Sequence, residues 1–197
     1  MSRRVLFLAA HCDDELTSAA TLRKFIEQGH KIIYVALSVC GIETLHKECE
    51  QATKTIGIHS TTIYNYPNRT FTHQRQEILD RLLSIRKEAH PDLVLCPSSF
   101  DTHQDHQTLH HEAKRAFKGI EMLGYEFPWN YTYSNLTCPS VITESHLNIK
   151  IEALSKYTSQ KDKPYFNPDF IRGLAKVRGV QFQTEYAEAF EVIRTAI

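Results

Sequence analysis

The first part of the chain alternates between two patterns of apolar and polar positions. Short continuous apolar runs are typical of buried strands, and longer segments whose apolar residues recur every three or four positions are typical of helices. Strands are predicted at Val5–Ala9, Ile32–Leu37, Thr61–Tyr64 and Asp92–Cys96, and helices at Leu16–Gln28, Glu43–Ile56, Gln74–Ala89 and Asp105–Lys118. This β-α-β-α-β-α-β-α order predicts an α/β fold, a Rossmann-like three-layer α/β/α arrangement around a mostly parallel sheet.

Helix-ending residues support these boundaries. Gly29 and Gly57 follow the first two helices, and glycine readily adopts the left-handed conformation that ends a helix. The third helix is expected to end at His90, because the following Pro91 disfavours helical backbone at the residue before it. The later pattern is less regular and predicts strands at Trp129–Tyr133 and Ser140–Thr143, helices at Leu147–Tyr157 and Phe170–Val177, and a strand or helix at Ala189–Ile193. No repeat or linker interrupts the chain, so we predict a single domain over residues 1–197.

Composition narrows the class of protein. Hydrophobic residues make up 42% and charged residues 23%, with Lys+Arg and Asp+Glu both at 23, so the net charge is zero. That balance argues against nucleic-acid binding through a basic surface. No apolar stretch approaches the ~20 residues of a membrane span, and no signal-peptide core opens the chain. The five cysteines form no C-x-x-C pair, which favours reduced thiols, and we expect a cytoplasmic protein.

Two clusters of histidine and acidic residues follow predicted strands. His11-Cys12-Asp13-Asp14-Glu15 follows the first strand, and Asp101-Thr102-His103-Gln104-Asp105-His106 follows the fourth. Parallel strands deliver functional groups at their carboxyl ends, and histidine and aspartate are common zinc ligands. The two clusters could therefore converge on one metal ion. The first loop has no glycine, and two acids at a helix N-terminus would repel a phosphate, so no dinucleotide site is expected there.

These motifs carry a family resemblance that spans nearly the whole chain. The run Ala10-His11-Cys12-Asp13-Asp14-Glu15 resembles the Ala-His-Pro-Asp-Asp-Glu signature of the PIG-L / LmbE-like zinc-dependent N-acetylglucosaminyl deacetylases, and His103-Gln104-Asp105-His106 resembles their His-x-Asp-His motif. Lys150…Ser159-Gln160 and Tyr186-Ala187-Glu188-Ala189-Phe190 resemble two later family segments. Cys12 replaces the usual proline, and Ser18-Ala19-Ala20 replaces the usual glycines. These departures leave the chemistry in place and put the substrate in doubt.

The resemblance implies a role for each residue of the two motifs. One Zn²⁺ per chain, or another divalent metal, is expected on three ligands: His11, Asp14 and His106. Asp13 is expected to act as the general base, and His103 to stabilise the oxyanion as an imidazolium that Asp105 orients and keeps charged. Three other assignments stay open: Cys12 as a further ligand, Asp105 as a helix cap, and Glu15 as a solvated residue.

Three residues outside these motifs are candidates for binding the substrate. Asn68 and Arg69 lie in the loop after the third strand, where Arg69 could grip a phosphate or a carboxylate or could simply lie on the surface. Trp129 could offer an aromatic platform to a sugar ring, or it could fill the core.

The implied activity is hydrolysis by metal-activated water. The expected enzyme is a zinc-dependent N-deacetylase, an amidohydrolase acting on linear amides, which removes an acetyl group from an N-acetylated amino sugar or sugar conjugate. Two alternatives stay open: a hydrolase of another N-acyl or N-formyl amide, and a catalytically idle zinc-binding partner subunit. The expected partner is the small-molecule sugar substrate. The sequence leaves homo-oligomer formation open.

Overall fold

A seven-stranded sheet with helices on both faces organises the protein. The computed structural model describes residues 2–195, so Met1 and residues 196 and 197 of the predicted domain lie outside the described residues. The strands are β1 Arg4–His11, β2 Lys31–Ser38, β3 Ser60–Ile63, β4 Leu93–Pro97, β5 Glu121–Tyr125, β6 Cys138–Ile142 and β7 Tyr186–Arg194. The helices are α1 Ala19–Glu27, α2 Glu43–Ile56, α3 Arg75–Ala89, α4 Gln104–Ala116, α5 Glu144–Leu154 and α6 Pro168–Gln181. The predicted α/β class and three-layer arrangement are confirmed.

The strand order is β3-β2-β1-β4-β5-β7-β6. Strands β1 to β5 are parallel, while β7 pairs antiparallel with both β5 and β6. The order reverses between β1 and β4, which lie side by side with Phe7 opposite Leu95. Such a reversal opens a crevice at the carboxyl ends of the two strands, where ligands bind in this type of sheet.

Alternate residues of β1 build the core on the two faces of the sheet. Val5, Phe7 and Ala9 pack with residues of α1, α2, α5 and α6 in one buried cluster. Leu6 and Leu8 pack with residues of α3 and α4 in the other. Because β1 is buried on both faces, its sequence reads as a continuous apolar run rather than an alternating one.

The first four strands and helices lie within a few residues of their predicted positions, and α2 matches its prediction, Glu43–Ile56. The predicted helix Leu16–Gln28 begins later, because a 3-10 turn at Asp14–Thr17 precedes α1. The predicted strand at Trp129–Tyr133 is wrong, since these residues form a loop, and β5 was not predicted. Ala189–Ile193 lies within strand β7.

Two 3-10 turns, Thr158–Gln160 and Pro164–Phe166, connect α5 to α6. The first is tied to α2 by the Glu48 carboxylate, which accepts hydrogen bonds from the Thr158 hydroxyl at 2.7 Å and the Ser159 N–H at 2.9 Å. The first part of this connection is therefore held against α2. Within residues 2–195, none of the helices combines the length and the apolar character needed to cross a bilayer.

Candidate active site

The two predicted histidine–acid clusters meet at the crevice between β1 and β4. His11 is the last residue of β1, and Asp14 follows in the 3-10 turn. His103 is the N-cap of α4, which begins in the loop after β4 and carries His106 in its first turn. The parallel pairing of β1 with β4 brings both strand ends to one edge of the sheet, as the sequence predicted.

Three buried side chains form a triangle of donor atoms. His11 Nδ1 lies 3.1 Å from His106 Nε2, and Asp14 Oδ1 lies 3.9 Å from the first nitrogen and 3.7 Å from the second. Ligands of a tetrahedral zinc at Zn–N distances of about 2.0–2.1 Å lie roughly 3.3 Å apart. The triangle thus has the size that a zinc ion requires, and the three residues are 7%, 3% and 2% exposed in the order His11, His106, Asp14.

A carboxylate lies beside each of the two imidazoles of the triangle. Asp105 Oδ2 lies 3.1 Å from His11 Nε2, and Asp101 Oδ2 lies 2.7 Å from His106 Nδ1. A carboxylate can only accept, so these nitrogens carry protons, and in the neutral form in which imidazole binds a metal each holds the only N–H proton of its ring. The remaining nitrogens then turn their lone pairs toward each other across 3.1 Å, beside the Asp14 carboxylate. A cation between them removes that repulsion, so the donor set fits a divalent metal.

Asp14 is held so that one oxygen stays available. Its Oδ2 accepts hydrogen bonds from the Ala10 N–H at 2.7 Å, the His11 N–H at 3.0 Å and the Tyr125 hydroxyl at 3.3 Å. Oδ1 is left facing the two imidazoles. Burial raises the pKa of Asp14, although the neighbouring His106 and His11 act in the opposite direction. A bound cation would stabilise the ionised carboxylate.

His103 lies close enough to be an alternative ligand. Nitrogen atoms of His11, His103 and His106 all lie within 4.8 Å of one another. However, the Asp105 N–H donates to His103 Nδ1 at 3.2 Å, which makes His103 the cap of α4 and leaves only Nε2 available. The neutral ring therefore carries its proton on Nε2.

Two expectations about His103 are wrong. Asp105 does not orient the ring with its carboxylate, because both carboxylate oxygens are engaged elsewhere, by His11 Nε2 and by the N–H groups of Arg69 and Phe71. Burial, together with the neighbouring His106 and His11, lowers the pKa of His103 to about 4 rather than raising it. His103 is thus a neutral imidazole instead of the expected imidazolium.

Asp105 links the triangle of His11, Asp14 and His106 to the loop after β3. It is fully buried, and its carboxylate accepts from the Arg69 N–H at 2.7 Å and the Phe71 N–H at 3.2 Å. Arg69 has a left-handed backbone, with φ of 64°, which this hydrogen bond holds in place. Burial opposes ionisation of Asp105, but the hydrogen bonds from His11 and the two N–H groups outweigh it and lower its pKa.

Asp13 points to a different environment from Asp14. Its side chain is 15% exposed, lines the main cavity and lies with Oδ2 3.3 Å from Lys163 Nζ. Burial of the ammonium acts against its charge, but Asp13 and Tyr165 outweigh this and raise the pKa of Lys163. Asp13 is therefore next to the triangle, accessible from the cavity and paired with a cation.

Glu15 and Cys12 face the core. Glu15 is fully buried, so the open assignment as a solvated residue is wrong; it accepts hydrogen bonds from the Tyr34 hydroxyl at 3.0 Å and from the Tyr157 hydroxyl. Burial raises the pKa of Glu15 well above its usual range. Cys12 is also buried, and a hydrogen bond with Cys49 and burial raise the pKa of its thiol. Cys12 thus belongs to the core cluster rather than to the donor triangle.

A cavity of about 580 Å³ opens from the triangle and is lined by all three predicted substrate residues, Asn68, Arg69 and Trp129. Trp129 is 41% exposed, so it does not fill the core. Its ring stacks on Tyr165 at 4.0 Å, and Phe127 bridges from Trp129 to the His106 ring at 4.7 Å. Phe127, Trp129 and Tyr165 therefore form an aromatic wall of the cavity that begins at the His106 ring.

Sequence reasoning missed Asp101 and Lys163. Asp101 lies two residues before His103, and its position after β4 was noted, but nothing in the sequence distinguished a carboxylate that supports His106 from a helix cap. Lys163 carried no local signal, because it reaches Asp13 from the connection between α5 and α6.

Comparison with known proteins agrees with this architecture. N,N'-diacetylchitobiose deacetylase from Pyrococcus horikoshii superposes with a TM-score of 0.80 at 20% identity, over 98% of this chain and 84% of that chain. 4-Carboxy-2-hydroxymuconate hydratase GalB from Pseudomonas putida superposes with a TM-score of 0.82 at 19% identity, over 99% of this chain and 98% of that chain. The zinc-inhibited form of teicoplanin deacetylase Orf2 superposes with a TM-score of 0.81 at 15% identity, over 95% of this chain and 96% of that chain. At identities of 15–20%, these superpositions show a shared fold alone.

The sequence comparison is more specific. No curated protein sequence matches the chain. The model of the family described as PIG-L, GlcNAc-PI de-N-acetylase, matches residues 6–117, which include both histidine–acid clusters. The match extends over more than half of the chain, and the protein therefore belongs to the PIG-L family.

Proposed function

We propose that the protein is a zinc-dependent amidohydrolase that removes the N-acetyl group of an N-acetylated amino sugar or sugar conjugate. The observation that carries this proposal is the buried triangle of His11, Asp14 and His106 with the cavity-facing Asp13 beside it. A structural zinc has four protein ligands, whereas a catalytic zinc has three and an open position. Three donors at the base of a cavity fit the catalytic type.

One zinc ion per chain is the proposed cofactor, held by His11, Asp14 and His106. When bound, such an ion supplies Lewis acidity and lowers the pKa of a water molecule from 15.7 to ~7. The triangle consists of two nitrogens and one oxygen, a ligand set that zinc accepts. Other divalent ions that accept nitrogen and oxygen ligands are candidates for the same site.

Asp13 is proposed as the general base. Its carboxylate lines the cavity next to the metal-binding cluster, so it can take the proton of the attacking water and return it to the leaving amine. Amines leave poorly without a proton, so both transfers are needed. His103 is proposed to donate a hydrogen bond from Nε2–H to the oxygen that becomes negative, a role open to a neutral ring.

The cavity wall favours a sugar conjugate over a free monosaccharide. Trp129, Tyr165 and Phe170 form an aromatic group, and Ile171 and Leu174 extend it as an aliphatic surface. A hydrophobic wall of this extent matches a substrate with an apolar part beside its sugar ring. At the rim, the exposed side chain of Arg69 has no carboxylate partner within residues 2–195 and is proposed to bind a substrate anion, with Asn68 next to it.

The test is a substrate panel on zinc-loaded protein. N-acetylglucosamine, its alkyl and aryl glycosides, and matching N-formyl and N-butanoyl compounds are incubated with the protein, and the free amine and the released acid are both quantified. The proposal expects acetate and amine in equal amounts, with the alkyl and aryl glycosides cleaved faster than the free sugar. Preference for another acyl group would select the other-amide alternative, and no release from any compound would favour the idle partner subunit.

A further inference from the structure

We infer that Lys163 is a positioning residue for Asp13, an inference that rests on the proposed function. Lys163 Nζ lies 3.3 Å from Asp13 Oδ2 across the wall of the cavity. The two residues are 150 positions apart, and Lys163 lies outside the segment 6–117 that matches the family model. The later part of this chain thus supplies a contact to the proposed base.

The ammonium of Lys163 is held in place by its surroundings. Lys163 is the N-cap of the 3-10 turn Pro164–Phe166, and its ammonium lies 5.5 Å from the Tyr165 ring centroid and 5.8 Å from that of Phe166. The same connection is anchored upstream, where the Tyr157 hydroxyl shares its proton between Glu15 and the Cys12 carbonyl next to Asp13. Lys163 therefore approaches Asp13 from a fixed segment, although its side chain is 41% exposed.

The Asp13 carboxylate has few other constraints. Within residues 2–195, Lys163 provides its one side-chain hydrogen bond or ion pair. Asp14, by contrast, is held by three donors to one oxygen. The contact at Oδ2 restrains rotation of the Asp13 carboxylate and leaves Oδ1 free of this ion pair. A base must lie within hydrogen-bond reach of the proton that it takes, and misplacement by about 1 Å can cost 10²-fold in rate.

Two other roles would give different results. If the pair were only an exposed ion pair without a catalytic effect, its loss would leave kcat and KM unchanged and Tm nearly so. A cation that binds the substrate would change KM rather than kcat. A positioning role predicts a loss in kcat that depends on Asp13 being present.

The experiment compares Lys163→Met and Lys163→Arg with wild type, each loaded with zinc, on the fastest substrate of the panel. Lys161→Met is the matched control, since Lys161 is exposed in the same connection and forms no ion pair within the described chain. We expect Lys163→Met to lower kcat by about 10- to 100-fold with KM nearly unchanged, and Lys163→Arg to recover part of the loss. Metal content and Tm are expected to stay at the wild-type values.

Two further readouts keep the inference open to refutation. The double variant Asp13→Asn/Lys163→Met is expected to be no slower than Asp13→Asn, because positioning has no effect once the base is lost. A crystal structure of zinc-loaded Lys163→Met is expected to show the Asp13 carboxylate rotated away from its present orientation. Unchanged kcat, a rise in KM alone, multiplied losses in the double variant, or an unmoved Asp13 would each overturn the inference. Inactive wild-type protein would instead refute the proposed function, and this inference with it.

Discussion

The Asp101 carboxylate provides the sharpest test of how the metal-binding cluster is held. Asp101 is 1% exposed and receives three hydrogen bonds. Oδ2 accepts from His106 Nδ1 at 2.7 Å and from the Asn130 amide at 3.2 Å, and Oδ1 accepts from the His103 N–H at 2.8 Å. Replacing Asp101 by asparagine keeps the size of the side chain and exchanges one oxygen for an NH₂ group.

The expected cost follows from this geometry. In Asp101→Asn the NH₂ group must face either the His106 N–H or the His103 N–H, so one of these donors loses its acceptor. The negative charge that would make the His106 imidazole a better metal ligand is lost in both cases. Removal of such a support typically weakens metal affinity 10–100-fold, which corresponds to about 1.4–2.7 kcal/mol.

The assay is a competition titration of zinc between the protein and a chromophoric chelator. The Kd of Asp101→Asn is compared with that of wild type and of Asp80→Asn, whose aspartate is exposed on α3. We expect a 10–100-fold weaker Kd for Asp101→Asn and an unchanged Kd for the control. A folded Asp101→Asn protein with wild-type affinity would refute the claim that Asp101 supports a metal ligand.

Three further predictions concern the ligands, the base and the stability. His106→Ala should lose the metal while His103→Ala keeps it, as measured by metal analysis; the reverse would make His103 the ligand. Asp13→Asn should bind zinc normally but lose on the order of 10²–10⁴ in kcat, and near-normal turnover would exclude it as the base. Burial opposes ionisation of Glu48, but hydrogen bonds from the residues after α5 outweigh this and lower its pKa. The ionised Glu48 therefore stabilises the fold above its unfolded-state pKa, and this stabilisation is lost as the pH falls through its folded-state pKa. Glu48→Gln should therefore be less stable than wild type at pH 7 by about 1–3 kcal/mol, and denaturant titrations should show the gap closing in acid; a gap independent of pH would contradict this.

The first half of the fold, from β1 to α4, could be predicted because the hydrophobic pattern and the helix-ending residues indicate the same elements. Strands β1, β2 and β4 are mostly buried and read as nearly continuous apolar runs. The helices of this half are followed by Gly29, Gly57 and His90, all of which have left-handed backbone. The meeting of the two clusters followed from the parallel order alone. Local pattern and global fold point to the same structure here, so short-range reasoning was sufficient.

The later half was harder because tertiary contacts determine it. The alternation at Trp129–Tyr133 is typical of a strand, but these residues form a loop, of which Trp129 and Asn130 line the cavity. The short β5 lies between β4 and β7, and Gly124 interrupts its run of apolar residues. Glycine is needed there because a Cβ would lie 2.8 Å from the Ser98 Cα. A close approach of this kind depends on residues distant in sequence.

The site shows the same division. The proximity of His11, Asp14 and His106 could be predicted from the two motifs, whereas the orientation of each side chain could not. The Asp105 carboxylate holds His11 rather than His103, because His103 is the N-cap of α4 and its ring accepts the Asp105 N–H. The expected charge on His103 was wrong for a related reason, since burial beside two other imidazoles could not be read from sequence spacing.

The central claim is that one zinc ion per chain makes this protein an amide hydrolase. It is tested most directly by titrating metal-free protein with zinc while following amine release from an N-acetylglucosamine glycoside. We expect no release without metal and a rise in the rate of release that stops at one equivalent of zinc. Release that does not depend on zinc, or no release at one equivalent of bound zinc with any glycoside of the panel, would contradict it.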